Sequence, residues 1–140
     1  MKKLLFVFTL CILSTSMVWG ELVYLINEGF DGGTTTPPTD WTFSGLSTYT
    51  SSGNYGVASP SLKFDGTGDY LETKSFSTGA QKLSFWIKGQ GITSTSTSSL
   101  LVQAYYNSIW NTVINITTFP TTGTTQTYDL NSSTTKIKCT

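Results

Sequence analysis

The chain has 140 residues, 38% of them apolar and 11% charged, with eight lysines, eight carboxylates, no arginine and no histidine. The absence of histidine excludes imidazole-based nucleophile activation, proton transfer and metal ligation. Without arginine and at zero net charge, the sequence lacks the basic surface that neutralises phosphates, so nucleic acid is not an expected partner.

Lys2 and Lys3 precede an apolar run from Leu4 to Leu13, and Ser14 to Gly20 is a small-residue exit, so residues 1–20 are expected to be a helical export signal cleaved near Gly20. The run is too short to span a bilayer, and no later stretch does better, so no membrane insertion is expected once the signal is removed. Leu10 precedes Cys11 where a lipoprotein signal would need a small residue. The remainder, 21–140, carries six lysines against eight carboxylates, a net charge of −2, and one third of it is Ser or Thr. It is expected to be secreted or surface-exposed. Such a composition opposes long helices and suits exposed strand faces and turns. Cys139 is the sole cysteine of this part, which rules out an internal disulfide there.

In chain order, short runs of period two alternate with clusters of Gly, Ser, Thr, Asn and Pro. Leu22 to Phe30 reads as a strand, Gly32 to Thr39 as a loop stiffened by Pro37 and Pro38, and Trp41 to Phe43 as renewed extended structure. Tyr49 to Gly56 reads as polar turn. Ser61 to Phe64 and Tyr70 to Phe76 are strands about the glycine turn Asp65 to Asp69. Lys82 to Lys88 alternates most clearly, with Leu83, Phe85 and Ile87 on the core side and Trp86 on the other. Gly89 to Ser99 is a hydroxyl-rich loop. Leu100 to Tyr105 and Trp110 to Ile116 form a hairpin that sets Tyr105 opposite Trp110 and Val102 opposite Val113. Gln126 to Leu130 and Thr135 to Cys139 close the series. About nine strands and no helix predict an all-β, antiparallel two-sheet sandwich.

The order and spacing of Glu28-Gly29-Phe30-Asp31, Pro38-Thr39-Asp40-Trp41, Ser59-Pro60-Ser61-Leu62-Lys63-Phe64, Leu83-Ser84-Phe85-Trp86-Ile87-Lys88-Gly89 and the hairpin ending in Trp110 carry a resemblance. Over about residues 24 to 139 they resemble the jelly-roll β-sandwich modules of bacterial cleaved-adhesin and choice-of-anchor type, which are similar to MAM domains and, more distantly, to concanavalin-like and galactose-binding-like sandwiches. The resemblance implies a jelly roll and a non-catalytic module of an exported protein that binds glycans or surface proteins beside an adjoining domain. It also implies a further strand beyond Thr140, with paired aspartates, so that 21–140 is expected to be a C-terminally truncated domain with an open sheet edge.

Candidate ligand-binding residues are Trp86, Tyr49, Tyr55, Tyr105 and Trp110, since an aromatic ring on an outer face or loop offers a flat apolar surface to a sugar. The alternative for Trp86 is burial under a loop, and for Tyr105 with Trp110 a cross-strand pair serving the sheet alone. Tyr106 is a further loop tyrosine, and Trp41 is expected to pack on the end of the sandwich. The resemblance implies that Glu28 and Asp31 help hold a structural calcium ion, which requires six to eight oxygens. Asp65 and Asp69 either bind a cation or cap their own turn. The strands Lys82 to Lys88 and Leu100 to Ile116 contain no carboxylate, so no pair is placed for glycoside hydrolysis and an enzyme is not expected. The expected function is a carbohydrate-binding or adhesion accessory; the alternative is a structural spacer of a larger exported protease or nuclease. Cys139 alternates with Ile137 and is expected in the core.

Overall fold

The computed structural model describes residues 3–12 by their backbone, and 23–93, 95 and 97–140 in full. Among the described residues there are eleven strands and no helix. They are β1 (Lys3–Ile12), β2 (Val23–Glu28), β3 (Thr42–Ser44), β4 (Ser47–Tyr49), β5 (Ser61–Phe64), β6 (Tyr70–Glu72), β7 (Ala80–Gln90), β8 (Leu100–Tyr106), β9 (Ile109–Ile116), β10 (Thr124–Thr134) and β11 (Lys136–Cys139). All pairings are antiparallel. One sheet runs β10-β7-β1-β5-β4 with β2 beside β1, and the other runs β3-β6-β11-β8-β9.

Alternation decides which face of each sheet is dry. In β7, Leu83, Phe85 and Ile87 have 0% exposure while Trp86 and Lys88 between and beyond them do not. In β8, Leu100, Val102 and Ala104 are buried, and Leu101, Gln103 and Tyr105 face away. Ile137 and Cys139 of β11 and Leu71 of β6 complete the inner face of the second sheet, and Leu62 and Phe64 of β5 that of the first. These residues form one core cluster between two sheets, the layout of a β-sandwich. Phe30, Trp41 and Phe43 close one part of it with edge-on and tilted ring contacts at 5.9 to 6.3 Å. Cys139 is fully buried, and desolvation pushes its thiol well above the ordinary cysteine range.

The turns follow their residues. Asn107 and Ser108, with φ of 53° and 64°, form the two-residue connection of the β8–β9 hairpin, and both positive angles belong to the turn type that matches strand twist. Tyr105 pairs with Trp110 as expected, but Val102 pairs with Ile114 rather than with Val113, because the register shifts between Val102 and Gln103. Val113 is the extra residue, a β-bulge invisible to a count from the turn. At the β5–β6 turn, Asp69 Oδ2 accepts the backbone N–H groups of Asp65 and Gly66, both at 2.7 Å, and Asp65 pairs with Lys63. Of the two readings for these aspartates, the geometry is that of a self-capped turn.

Three departures from the sequence reading concern β4 and β1 of the first sheet and β6 of the second. Ser47–Tyr49 is a strand where the sequence reading places none, and its last residue is the first of the segment read as polar turn; its hydroxyl-rich residues pair with Ser61 to Lys63 at a sheet edge, where apolar alternation is not needed. The strand read as Tyr70 to Phe76 ends at Glu72, and Thr73 and Phe76 bond to Ile137 and Thr135 outside it. Lys3–Ile12 is an extended strand where the export-signal reading expects a helix. A run of Leu, Phe, Val and Ile lacks any period that separates a helix from an inner strand. The expected cleavage near Gly20 falls outside the described residues.

Gly45 holds φ +71°, and a Cβ there would lie 2.1 Å from Asp69 Oδ1. Gly45→Ala therefore strains the left-handed backbone and displaces the aspartate that caps the β5–β6 turn. The expected loss is about 1–3 kcal/mol in urea denaturation. Cys139 is expected to resist alkylation in the folded chain, and peptide mapping by mass spectrometry should show labelling there only above the unfolding midpoint.

Candidate functional site

The same alternation that buries Leu100, Val102 and Ala104 sends Leu101, Gln103 and Tyr105 to the outer face of the second sheet. Registers then assemble rows across that face. Thr42, Glu72, Lys138, Gln103 and Thr112 form one, Lys136, Tyr105 and Trp110 the next, and Leu101 lies opposite Asn115. The rings of Tyr105 and Trp110 lie 5.1 Å apart at 59°, each half-buried. Lys138 Nζ stands 4.3 Å from the centre of the Trp110 ring, a cation–π contact that holds the indole in place and covers part of it.

Glu72 links the two lysines. Its Oε1 accepts from Lys136 at 2.8 Å and its Oε2 lies 3.5 Å from Lys138. Burial alone would raise the Glu72 pKa; the hydrogen bond and charge of Lys136, with the charge of Lys138, outweigh it and hold the carboxyl below 4.5. The outer face thus presents an aromatic pair, two lysines, a carboxylate and the amide of Gln103. These are groups that stack on and hydrogen-bond to a polyhydroxylated ligand.

Where the strands enter the loops, this face meets an end cleft of about 540 Å³. The Asp65 to Asp69 turn, Ser98 and Ser99, Phe119, Leu101 and Asn115 line it. Leu101 and Asn115 belong both to the cleft and to the outer face, so the two are continuous along β8 and β9. Leu101 to Tyr105 spans four residues of strand, about 13 Å at 3.3 Å per residue.

The predicted residues divide between two faces. Tyr105 and Trp110 stand together on the outer face just described. Trp86 and Tyr49 lie on the outer face of the other sheet, with Lys63 Nζ 5.4 Å from the Tyr49 ring centre. The indole of Trp86 is half-buried, and a Cβ on Gly123 would fall 1.8 Å from its Cζ2, so the β9–β10 loop lies directly against it. Tyr55 is half-buried in the loop 50–60, which Lys88 anchors by donating to the Gly53 carbonyl at 2.7 Å and to Asn54 Oδ1 at 2.9 Å. Tyr106 is not a loop residue: it ends β8 and packs against the core.

Glu28 Oε1 accepts the Phe30 backbone N–H at 2.6 Å, the bond that supports the positive φ of Phe30, while Asp31 is exposed. Among the described residues, no three acidic or cysteine side chains gather as a metal would require. Lys136, Lys138, Glu72 and Gln103 escaped the sequence reading because their short alternating strand shows which side faces out but not what lies beside it. The register that joins β11 to β8 and β6 brings them together: Lys138 lies 35 residues from Gln103 and 66 from Glu72 in sequence, and Lys136 lies 64 from Glu72.

No family model matches the chain, and neither do the curated proteins or solved structures compared with it.

Glu72 binds fewer protons in the folded chain than in the unfolded one. Its pairing with the lysines therefore stabilises the fold above about pH 4.5, and that contribution is lost as pH falls through the lowered native value. Glu72→Gln should remove this dependence, with the difference in Tm between the two proteins largest at neutral pH and shrinking toward pH 3. At neutral pH, a partly exposed network of this kind contributes about 0.2–1 kcal/mol.

Proposed function

We propose that this protein is an exported, non-catalytic module of jelly-roll type that binds carbohydrate through the outer face of its second sheet. The observation that carries the reading is the half-buried Tyr105 and Trp110 pair, presented beside Gln103, Glu72, Lys136 and Lys138 on a sheet whose other face is fully packed. A rigid sheet fixes aromatic rings at little entropic cost to binding, and flanking amides and charges supply hydrogen bonds that orient hydroxyl groups. The end cleft lengthens the available surface along β8 and β9.

The alternative role as a structural spacer draws on the same pair. Tyr105 and Trp110 satisfy one another, and Lys138 already occupies part of the indole, so the contact stabilises the sheet by about 0.2–1 kcal/mol without any ligand.

Affinity electrophoresis in polysaccharide gels and a glycan array separate the two readings. Retardation by at least one polymer is expected, with Trp110→Ala weakening it tenfold or more, about 1.4 kcal/mol, while circular dichroism stays unchanged. Trp86→Ala, on the opposite sheet, should leave retardation intact. Absence of retardation with every polymer would assign the spacer role.

A further inference from the structure

Lys3–Ile12 occupies an inner position of the first sheet. It pairs with β7 over seven positions, from Lys3 opposite Gln90 to Thr9 opposite Ser84. Its other edge pairs with β5, where Leu4 to Phe6 face Phe64 to Leu62, and then with β2, where Phe8 to Ile12 face Glu28 to Val23. The remainder of the sheet consists of three pieces, β10 with β7, β5 with β4, and β2, and among the described residues no strand pairing joins one piece to another without β1. Taking β1 away would leave the backbone groups of Ser84 to Gln90 and of Leu62 to Phe64 facing a gap one strand wide. Unpaired backbone at inner strands is costly, and it templates the addition of another strand.

The register shows what such a strand must be. Leu4, Phe6 and Phe8 stand level with Phe64, with Leu62 and Ile87, and with Phe85, the positions of the buried face, and Leu10 stands level with Ile26. The intervening Leu5, Val7 and Thr9 stand level with Lys63 and Lys88, with Trp86, and with Ser84, the positions of the outer face. On that outer side the loop 50–60 is tied by Lys88 of β7, across the position of β1 from β5. The positions level with the buried face are thus held by Leu4, Phe6, Phe8 and Leu10, all large and apolar, while those level with the outer face are held by Leu5, Val7 and Thr9.

We propose that the first sheet contains a strand-acceptor site between β7 on one side and β5 with β2 on the other. Its ligand is an extended apolar segment, the chain's own Lys3–Ile12. The segment that reads as an export leader is, in the folded chain, bound by the remainder as a β-augmenting peptide. The site binds main chain by the ladder and selects side chains by alternate large apolar positions. This inference rests on the sheet alone and is independent of carbohydrate binding by the second sheet; it requires that Lys3–Ile12 stay with the body and not leave with a cleaved leader.

The full chain carrying a protease site inserted with a flexible linker between Ser16 and Met17 tests it. The protein is folded first and nicked afterwards. The amino-terminal fragment is expected to co-elute with the body on size exclusion. A labelled synthetic peptide of residues 3–12 is expected to displace it at one per body. The same peptide carrying Leu4→Ser, Phe6→Ser, Phe8→Ser and Leu10→Ser should bind at least tenfold more weakly, and one carrying Leu5→Ser and Val7→Ser should bind more tightly than that.

Departure of the fragment with unchanged circular dichroism and unchanged amide-exchange protection at Ser84 to Gln90 would overturn the proposal, as would equal binding of all three peptides. Should the body lose its β signal on nicking, recovery on adding the native peptide supports the site and failure to recover refutes it. Retardation of the nicked body in polysaccharide gels reads the carbohydrate reading separately.

Discussion

Burial of alternate residues between two sheets is the constraint from which the rest of this molecule follows. Leu83, Phe85 and Ile87 on one side and Leu100, Val102, Ala104 and Ile137 on the other are withdrawn from water almost completely. Because a strand's side chains point alternately up and down, each buried residue commits its neighbours to the opposite face. Trp86 and Lys88 are outward because Phe85 and Ile87 are inward, and Tyr105 is outward because Ala104 is buried. A slip of one residue would exchange core for surface along the whole strand, so the apolar lining fixes both the fold and the identity of the exposed groups.

The strongly alternating strands were legible from sequence for this reason. Lys82 to Lys88 and the hairpin from Leu100 to Ile116 lie close to their expected bounds, and Cys139 and Trp41 are buried as expected. What escaped notice lacks that signal. Ser47–Tyr49 pairs at an edge with little apolar content, and the Val113 bulge changes no composition. Lys3–Ile12 is apolar at every position but Lys3 and Thr9, and a run of that kind satisfies an export leader and an inner strand equally. The jelly-roll resemblance drew on short motifs in order, and the two antiparallel sheets are the part of it that the structure carries.

For the candidate site, sequence supplied the aromatic residues and the hairpin supplied their pairing. It could not supply the company they keep. Glu72 and Lys136 meet across 64 residues of sequence, and Lys138 reaches Trp110 from the neighbouring β11–β8 pairing. Such encounters depend on strand order within the sheet, which local pattern does not encode. The reverse holds for Trp86: its outward direction was legible, whereas the Gly123 backbone pressed against its ring was not, since that contact joins a loop to a strand 37 residues earlier.

The extra residue at Val113 has a geometric consequence for the surface beside it. A bulge adds right-handed twist to a ribbon that is already twisted, so the part of β8 and β9 bearing Tyr105 and Trp110 is rotated relative to the part bearing Leu101 and Asn115. The face is therefore closer to a propeller blade than to a tabletop. A stiff planar lattice pressed onto it can rest on one end at a time, whereas a slender polymer able to coil can keep contact from the cleft to the indole.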